Sequence, residues 1–313
     1  MEFGSKTTKP EAKKIFDMAI ERGINIVDTA NCYAQGESEK LVGKLIAPYR
    51  NHILLATKFA VPLDDNNPNS GGTSRHNIIQ SCEASLKRLN TDHIDIFYIH
   101  RPFLNTPIDE TLRALDDLVS SGKVRAIGSS SFASWQLIEA QWCADVKNLI
   151  RITAEQTPYH LLDRRIEREL VPAAQSHGVG LTIWSPLAGG LLTGKYAKTT
   201  TNPRLTADDA WGAKHFTAQA DDVMQKLASL AKSAGHTLTE LALAWTLSRP
   251  NVSSIVLGPR NTSQFKQQLK ALDVTLTAET LTKIDKIVPF GSVTVPYYLD
   301  DQFANFSPNL HHW

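Results

Sequence analysis

Short apolar runs alternate along the whole chain with longer stretches in which apolar positions recur every three or four residues. The short runs predict strands over residues 24–27, 52–57, 94–99, 123–130, 152–156, 180–185 and 253–257. The longer ones predict helices over residues 11–21, 75–89, 107–120, 132–145, 167–177, 218–234 and 238–248. Thr237, three residues before Glu240, forms a capping-box pattern, and Ser134 stands ahead of its helix's apolar face. Gly23, Gly122 and Gly178 fall just past helical runs, where a left-handed residue is wanted. Strict alternation of strand and helix implies parallel strands with right-handed crossovers. The pattern supplies seven strands, whereas a closed barrel of this kind needs eight.

At 313 residues the chain could make one α/β barrel or two smaller domains. No linker or compositional shift marks a boundary, so residues 1–313 are expected to form one domain. It would carry a long connection at residues 196–222 and a tail at residues 291–313. Lys plus Arg number 33 against 32 Asp plus Glu, which lacks the basic footprint of a nucleic-acid binder. Cys32, Cys82 and Cys143 make neither a CxxC pair nor a metal-ligand spacing, which suits a reducing compartment. With no apolar run of membrane-spanning length and no basic-then-apolar leader, the expectation is a cytoplasmic protein.

Asp28, Tyr33, Lys58 and His100 each fall at or just after the C-terminal end of an expected strand. In a parallel barrel those ends converge on one face, where sites are assembled from several strands. A phenol, an ammonium, a carboxylate and an imidazole meeting there suit carbonyl reduction. Tyrosine titrates near pH ~10, too high for an efficient acid at neutrality, and a neighbouring ammonium pulls that value down. An aspartate would keep the lysine charged and aligned, while the imidazole donates to the substrate oxygen. Singly, each has a plainer reading: a helix cap, a packing aromatic, a surface charge, a buried histidine.

The stretch from Gly23 through Asp28, Thr29, Ala30 and Tyr33 to Glu39 resembles the signature of the aldo-keto reductases. Agreement continues at Ala56–Phe59, Asp95–His100, Lys123–Gly128, Glu155–Gln156, Trp184–Tyr196 and Gly258–Asn261, in order and over most of the chain. The resemblance implies an α/β fold, a (β/α)8 TIM-type barrel, binding NADPH across its C-terminal face. It makes Tyr33 the general acid, supported by Lys58 and Asp28, with His100 orienting the carbonyl. The segment from Gly189 to Lys195 points to the branch containing potassium-channel β subunits. Cofactor contacts implied by it are Ser130, Ser131, Gln156, Trp184, Ser185, Pro186, Leu187, Gly189, Lys195, Gly258, Arg260, Gln264 and Gln268. Arg260, after the last strand, suits a 2′-phosphate, because a guanidinium pairs bidentately with it. Gln264 and Gln268 lie four apart, on one helix face, at positions that contact the adenine end. Residues 189–195 superficially match a P-loop, but Tyr196 replaces the magnesium-binding Ser/Thr, and no GxGxxG follows a strand. Ser131 departs from the family's asparagine, which the resemblance places against the nicotinamide carboxamide, and serine is shorter with one polar group fewer; Trp184 departs from the family's tyrosine and Gln268 from its asparagine.

Met1–Gly4 resembles the end of the stretch that follows the family's first strand, so that strand is expected to be absent. The rival reading is that Glu2–Ser5 is encoded by cloning sites. Without the first strand, exposed edges on the strands at residues 24–27 and 253–257 would invite oligomerisation. Phe59, Arg101 and Phe103 are expected to wall the substrate, a small carbonyl compound, with the 196–222 loop and the aromatic tail. The leading expectation is an NADPH-dependent aldehyde or ketone reductase. The alternatives are an NADPH-binding regulatory subunit with little turnover and an inactive truncated form.

Overall fold

The computed structural model describes residues 3–64, 66–194 and 217–295. Among them are seven strands: β1 Ile26–Asp28, β2 Leu54–Phe59, β3 Ile94–Ile99, β4 Val124–Ser130, β5 Ile152–Pro158, β6 Gly180–Trp184 and β7 Val252–Ile255. They alternate with helices α1 Lys9–Glu21, α2 Glu37–Ile46, α3 Arg75–Leu89, α4 Ile108–Ser120, α5 Ser134–Lys147, α6 Leu170–Ser176, α7 Ala218–Ser233, α8 Leu238–Leu247, α9 Thr262–Leu269 and α10 Ala278–Ile287. This is the fold class of the (β/α)8 TIM-type barrel, with seven strands among the described residues.

The chain divides into two compact units: residues 1–156, 177–179 and 258–265, and residues 157–176, 180–257 and 266–313. In the first, β1 to β5 pair in parallel and in sequence order. An apolar cluster lies between strands and helices, where Phe16, Val42, Ile46, Ile53, Leu55 and Leu89 pack together. Side chains alternate across a strand. Leu55 therefore shares the helix side with Thr57, whose hydroxyl donates to buried Glu39 of α2. Arg88 of α3 pairs with the same carboxylate and ties α2 to α3. Those helices meet closely at Gly43, where an added Cβ would lie 2.2 Å from the Leu89 carbonyl oxygen. Gly43→Ala is expected to cost about 1–3 kcal/mol, measured as a shift in the urea midpoint. A midpoint equal to wild type would show that the contact is slack.

In the second unit, β6 pairs in parallel with β7. Helix α8 is buried almost all round, from Leu238 to Thr246, as suits a helix apolar on every side. Its start is the expected capping box: Thr237 Oγ1 accepts from the Glu240 N–H and Glu240 Oε2 accepts from the Thr237 N–H. Arg164 pairs with Glu167 and Asp285, and its guanidinium lies 5.1 Å from the Trp245 ring centroid.

Several expected boundaries move. β1 and β2 start two residues later than expected, and β2 also runs two residues further, to Phe59, which puts Lys58 inside it rather than after it. Helix α5 is not capped by Ser134, its first residue; instead Gln136 Oε1 accepts from the Ala133 N–H. Residues 218–222, where the expected connection and the expected helix overlap, belong to the helix: α7 starts at Ala218, and Thr217 Oγ1 accepts from the Ala220 N–H. The rest of that connection, Lys195 included, lies outside the described residues. So does the tail beyond residue 295, whose start is held by N–H bonds from Thr294 and Val295 to the Leu162 carbonyl. Gly23, Gly122 and Gly178 have φ of +78°, +75° and +69°, the expected left-handed ends. No helix of the described residues is long and apolar enough to cross a membrane.

Candidate active site

Strand register in the first unit decides which side chains meet. Asp28 pairs with Ala56 across β1 and β2, and Lys58 pairs with Tyr98 across β2 and β3. Asp28 and Lys58 thus stand on the same side of adjacent strands, near their C-terminal ends. The Lys58 ammonium donates to Asp28 Oδ1, and to the Thr29 carbonyl at 2.9 Å. Gln156, two residues before the end of β5, donates through Nε2 to the other Asp28 oxygen at 2.8 Å. The carboxylate is therefore shared between a cation and an amide.

Tyr33 opens a one-turn 3₁₀ segment after β1, Tyr33–Gly36, whose Ala34 and Gln35 have φ of +50° and +54°. That turn carries the phenol back over Lys58, whose Nζ lies 5.1 Å from the ring centroid. His100 follows β3 directly, its N–H bonded to the Phe59 carbonyl. Its ring meets the Tyr33 ring edge-on, at 5.6 Å between centroids and 78° between planes. Cys32 Sγ sits 3.7 Å from His100 Nδ1.

The electrostatics follow from the dryness of the cluster. Burial is the largest single influence and disfavours the Lys58 ammonium, but Asp28, through its charge and hydrogen bond, together with Tyr33 and Tyr98 outweighs it and holds the lysine above its ordinary range. Burial likewise disfavours the Tyr33 phenolate. The pull of Lys58 only partly offsets this, so the phenol titrates above its usual value rather than below it. The expectation of a lowered tyrosine value is corrected on this point: the lysine acts in the expected direction, and loss of hydration is larger. His100 is held well below its ordinary value, first by burial and then by the positive charges of Lys58 and Arg101. At neutral pH the site presents a phenol, an ammonium and a neutral imidazole.

The expected substrate residues separate. Arg101 is near enough for its charge to act on His100 and Cys32. Phe103 is half-buried in the loop after β3. Phe59 is placed otherwise than expected. It is wholly buried, adjacent to Lys58 and hence on the opposite side of β2, and its ring stacks on Phe97 at 4.6 Å. It packs between the strand and helix layers, because neighbours in a strand face opposite ways.

Of the expected nucleotide contacts in the first unit, Ser130, Ser131 and Gln156 lie together: Ser130 Oγ and the Ser131 N–H both donate to the Gln156 carbonyl. Ser131 has φ of +59°, a left-handed conformation that asparagine adopts more readily than serine. Gly258 is exposed with open space around it. Arg260 is held by its backbone, its N–H donating to Gln264 Oε1 and its carbonyl accepting from Thr7 Oγ1. The side-chain oxygen of Gln264 is therefore committed to the Arg260 N–H, just ahead of α9.

In the second unit, Trp184 ends β6 and Ser185 begins a tight connection with φ of +52°. Pro186 is buried and Leu187 half-buried; Ala188, Gly189 and Gly190 follow, all with positive φ. Gln268 Oε1 is buried without a hydrogen-bond partner among the described residues. A buried acceptor left over in this way fits the amino donor of a bound nucleotide base.

Residue patterns alone do not single out the bond from Gln156 to Asp28, the Cys32–His100 contact, or the hydrogen bonds of Glu155 to the Phe132 N–H and Ser129 Oγ. The place of Glu155 beside Gln156 in the motif is the one available signal for the last.

The Aldo/keto reductase family matches residues 1–289. The chain is 38% identical to the Bacillus subtilis "Uncharacterized oxidoreductase YrpG" over 92% of its length and 90% of that protein's. It is 37% identical to the Arabidopsis thaliana "Probable voltage-gated potassium channel subunit beta", over 91% and 90%. The chain belongs to the aldo/keto reductase family. Membership and the oxidoreductase relative support an oxidoreductase acting, in general terms, in carbonyl reduction.

Proposed function

We propose that the protein reduces aldehydes or ketones to alcohols with NADPH, using Tyr33 as the general acid. The observation that carries this reading is the dry cluster of Asp28, Lys58, Tyr33 and His100 built at the strand ends of one unit. The bound nicotinamide would supply the hydride. The protein's own work is orientation and the proton. Neutral His100 donates to the carbonyl oxygen and fixes its direction. As negative charge develops on that oxygen, the Tyr33 hydroxyl transfers its proton to it. A raised phenol value keeps the donor loaded, and a nascent alkoxide is basic enough to take the proton all the same. Lys58 then faces the phenolate, and Asp28 with Gln156 keeps the ammonium aimed.

Ser130, Ser131, Gly258, Arg260 and Gln264 are proposed as nucleotide contacts of the first unit, with Gln156 holding Asp28 as well. Trp184, Ser185, Pro186, Leu187, Gly189 and Gln268 are proposed in the second on their local conformation. Lys195 is proposed from the sequence alone. The preference for NADPH rests on Arg260 as a partner for the 2′-phosphate.

The test is NADPH oxidation by the purified protein with aliphatic, aromatic and dicarbonyl substrates. Turnover with any of them supports the reading. Tight NADPH retention without turnover would favour the regulatory-subunit alternative, with which the potassium-channel relative's name is compatible. No binding of either nicotinamide nucleotide would overturn it.

The titration directions predict a pH profile. Reduction needs a protonated Tyr33, present below its raised value and lost as pH rises through it. It also needs a neutral His100, present above its lowered value. At saturating cofactor, kcat/KM should therefore be level between about pH 6.5 and pH 10, the ordinary histidine and tyrosine values. A limb inside that window that disappears in Tyr33→Phe or His100→Gln would contradict the assignment.

A further inference from the structure

The β4–α5 turn carries Ser130 and Ser131, and it is gripped from two sides by consecutive residues of β5. On one side, the Gln156 carbonyl accepts from Ser130 Oγ at 2.9 Å and from the Ser131 N–H at 3.0 Å. On the other, the Glu155 side chain is wholly buried and reaches under the same turn. Its Oε1 accepts from the Phe132 N–H at 3.1 Å, and its Oε2 shares a hydrogen bond with Ser129 Oγ. The Ser131 N–H also acts on this carboxyl. Ser131, between these grips, has φ of +59°, which a serine does not hold without outside support.

We propose that Glu155 is a positioning residue for the bound nucleotide: its buried carboxyl clamps the Ser129–Phe132 turn so that Ser131 faces the nicotinamide end. This rests on the NADPH reading above. A carboxyl is costly to bury, and the turn supplies what offsets that cost. Burial pushes Glu155 up to about 8, against the hydrogen bonds from Ser129, Phe132 and Ser131. Its Oε1 takes the backbone N–H and its Oε2 the Ser129 hydroxyl. Glutamine keeps the backbone acceptor through its carbonyl and can meet the Ser129 oxygen with its amide, the hydroxyl turning to accept.

The experiment compares two probes on wild type, Glu155→Gln, Glu155→Asp and Glu155→Ala: NADPH, and 2′-phospho-ADP-ribose, which lacks the nicotinamide. Wild type and Glu155→Gln should bind both alike. Glu155→Ala should weaken NADPH by about tenfold or more, because two or more buried hydrogen bonds to the turn are lost. Its affinity for 2′-phospho-ADP-ribose should be unchanged. Should Glu155→Ala not fold, Glu155→Asp, one methylene short of the turn, decides by the same split. Equal losses for both probes would assign Glu155 to the fold alone and overturn the proposal. Unchanged NADPH affinity would overturn it too, while leaving the NADPH reading intact. A wild type that binds neither probe would bring down that reading and the proposal with it.

Discussion

Tyr33→Phe is expected to lower kcat for carbonyl reduction by about 10²–10⁴-fold with little change in NADPH affinity. The phenylalanine ring can keep the edge-on contact with His100 and the packing over the Lys58 ammonium. Only the transferable proton goes. The neutral imidazole of His100 cannot replace it, since its value is held far below the ordinary one and its N–H is a much weaker acid than imidazolium. Single-turnover measurement with prebound NADPH separates the chemical step from cofactor release. A variant within threefold of wild type in that measurement would remove Tyr33 from the acid role, on the scale typical of general acids at about 10²-fold or more.

Lys58→Met is expected to damage both the fold and the reaction. The lysine side chain is 1% exposed and Asp28 only 9%, so the pair is nearly dry. Removing the cation leaves the Asp28 carboxylate with the Gln156 amide, and leaves the Thr29 carbonyl without its Lys58 donor. Breaking a buried pair from one side typically costs about 3–5 kcal/mol. Chemical denaturation of Lys58→Met against the double variant Asp28→Asn/Lys58→Met reads this directly. The double variant should recover much of the loss, because the orphaned charge is gone. If Lys58→Met unfolds within about 1 kcal/mol of wild type, the pair contributes little and the cluster is more hydrated than its exposure indicates. Lost turnover in a still-folded Lys58→Met would agree with the lysine's place facing the phenolate.

These predictions draw unequally on sequence and on tertiary structure. Short apolar runs set between stretches of 3.6-residue period locate the seven strands of the described residues, because a strand covered on both faces reads as a continuous run and a helix buries one face. Capping at Thr237 and the left-handed glycines at 23, 122 and 178 were equally legible, since these are local backbone demands. Boundaries were less so. β2 begins at Leu54, preceded by a segment that Arg50 anchors through bonds to the Ile53 and His93 carbonyls. The second of those partners is 43 positions away along the chain.

The site divides in the same way. Residue types at strand ends, with the family resemblance, named Asp28, Tyr33, Lys58 and His100 from the sequence. Their proximity, the sharing of Asp28 between Lys58 and Gln156, and the placing of Phe59 away from Lys58 required strand register. The direction of the Tyr33 value could not be read from neighbours in sequence. It depends on how far burial outweighs the ammonium, which only the packed environment determines. Glu155 was visible as a letter beside Gln156, but its hold on the β4–α5 turn was not. By itself, then, the sequence determined the order of elements and the chemical identity of the site. Tertiary structure decided which groups share a proton, a charge or a hydrogen bond, because those interactions act over a few ångströms between residues far apart along the chain.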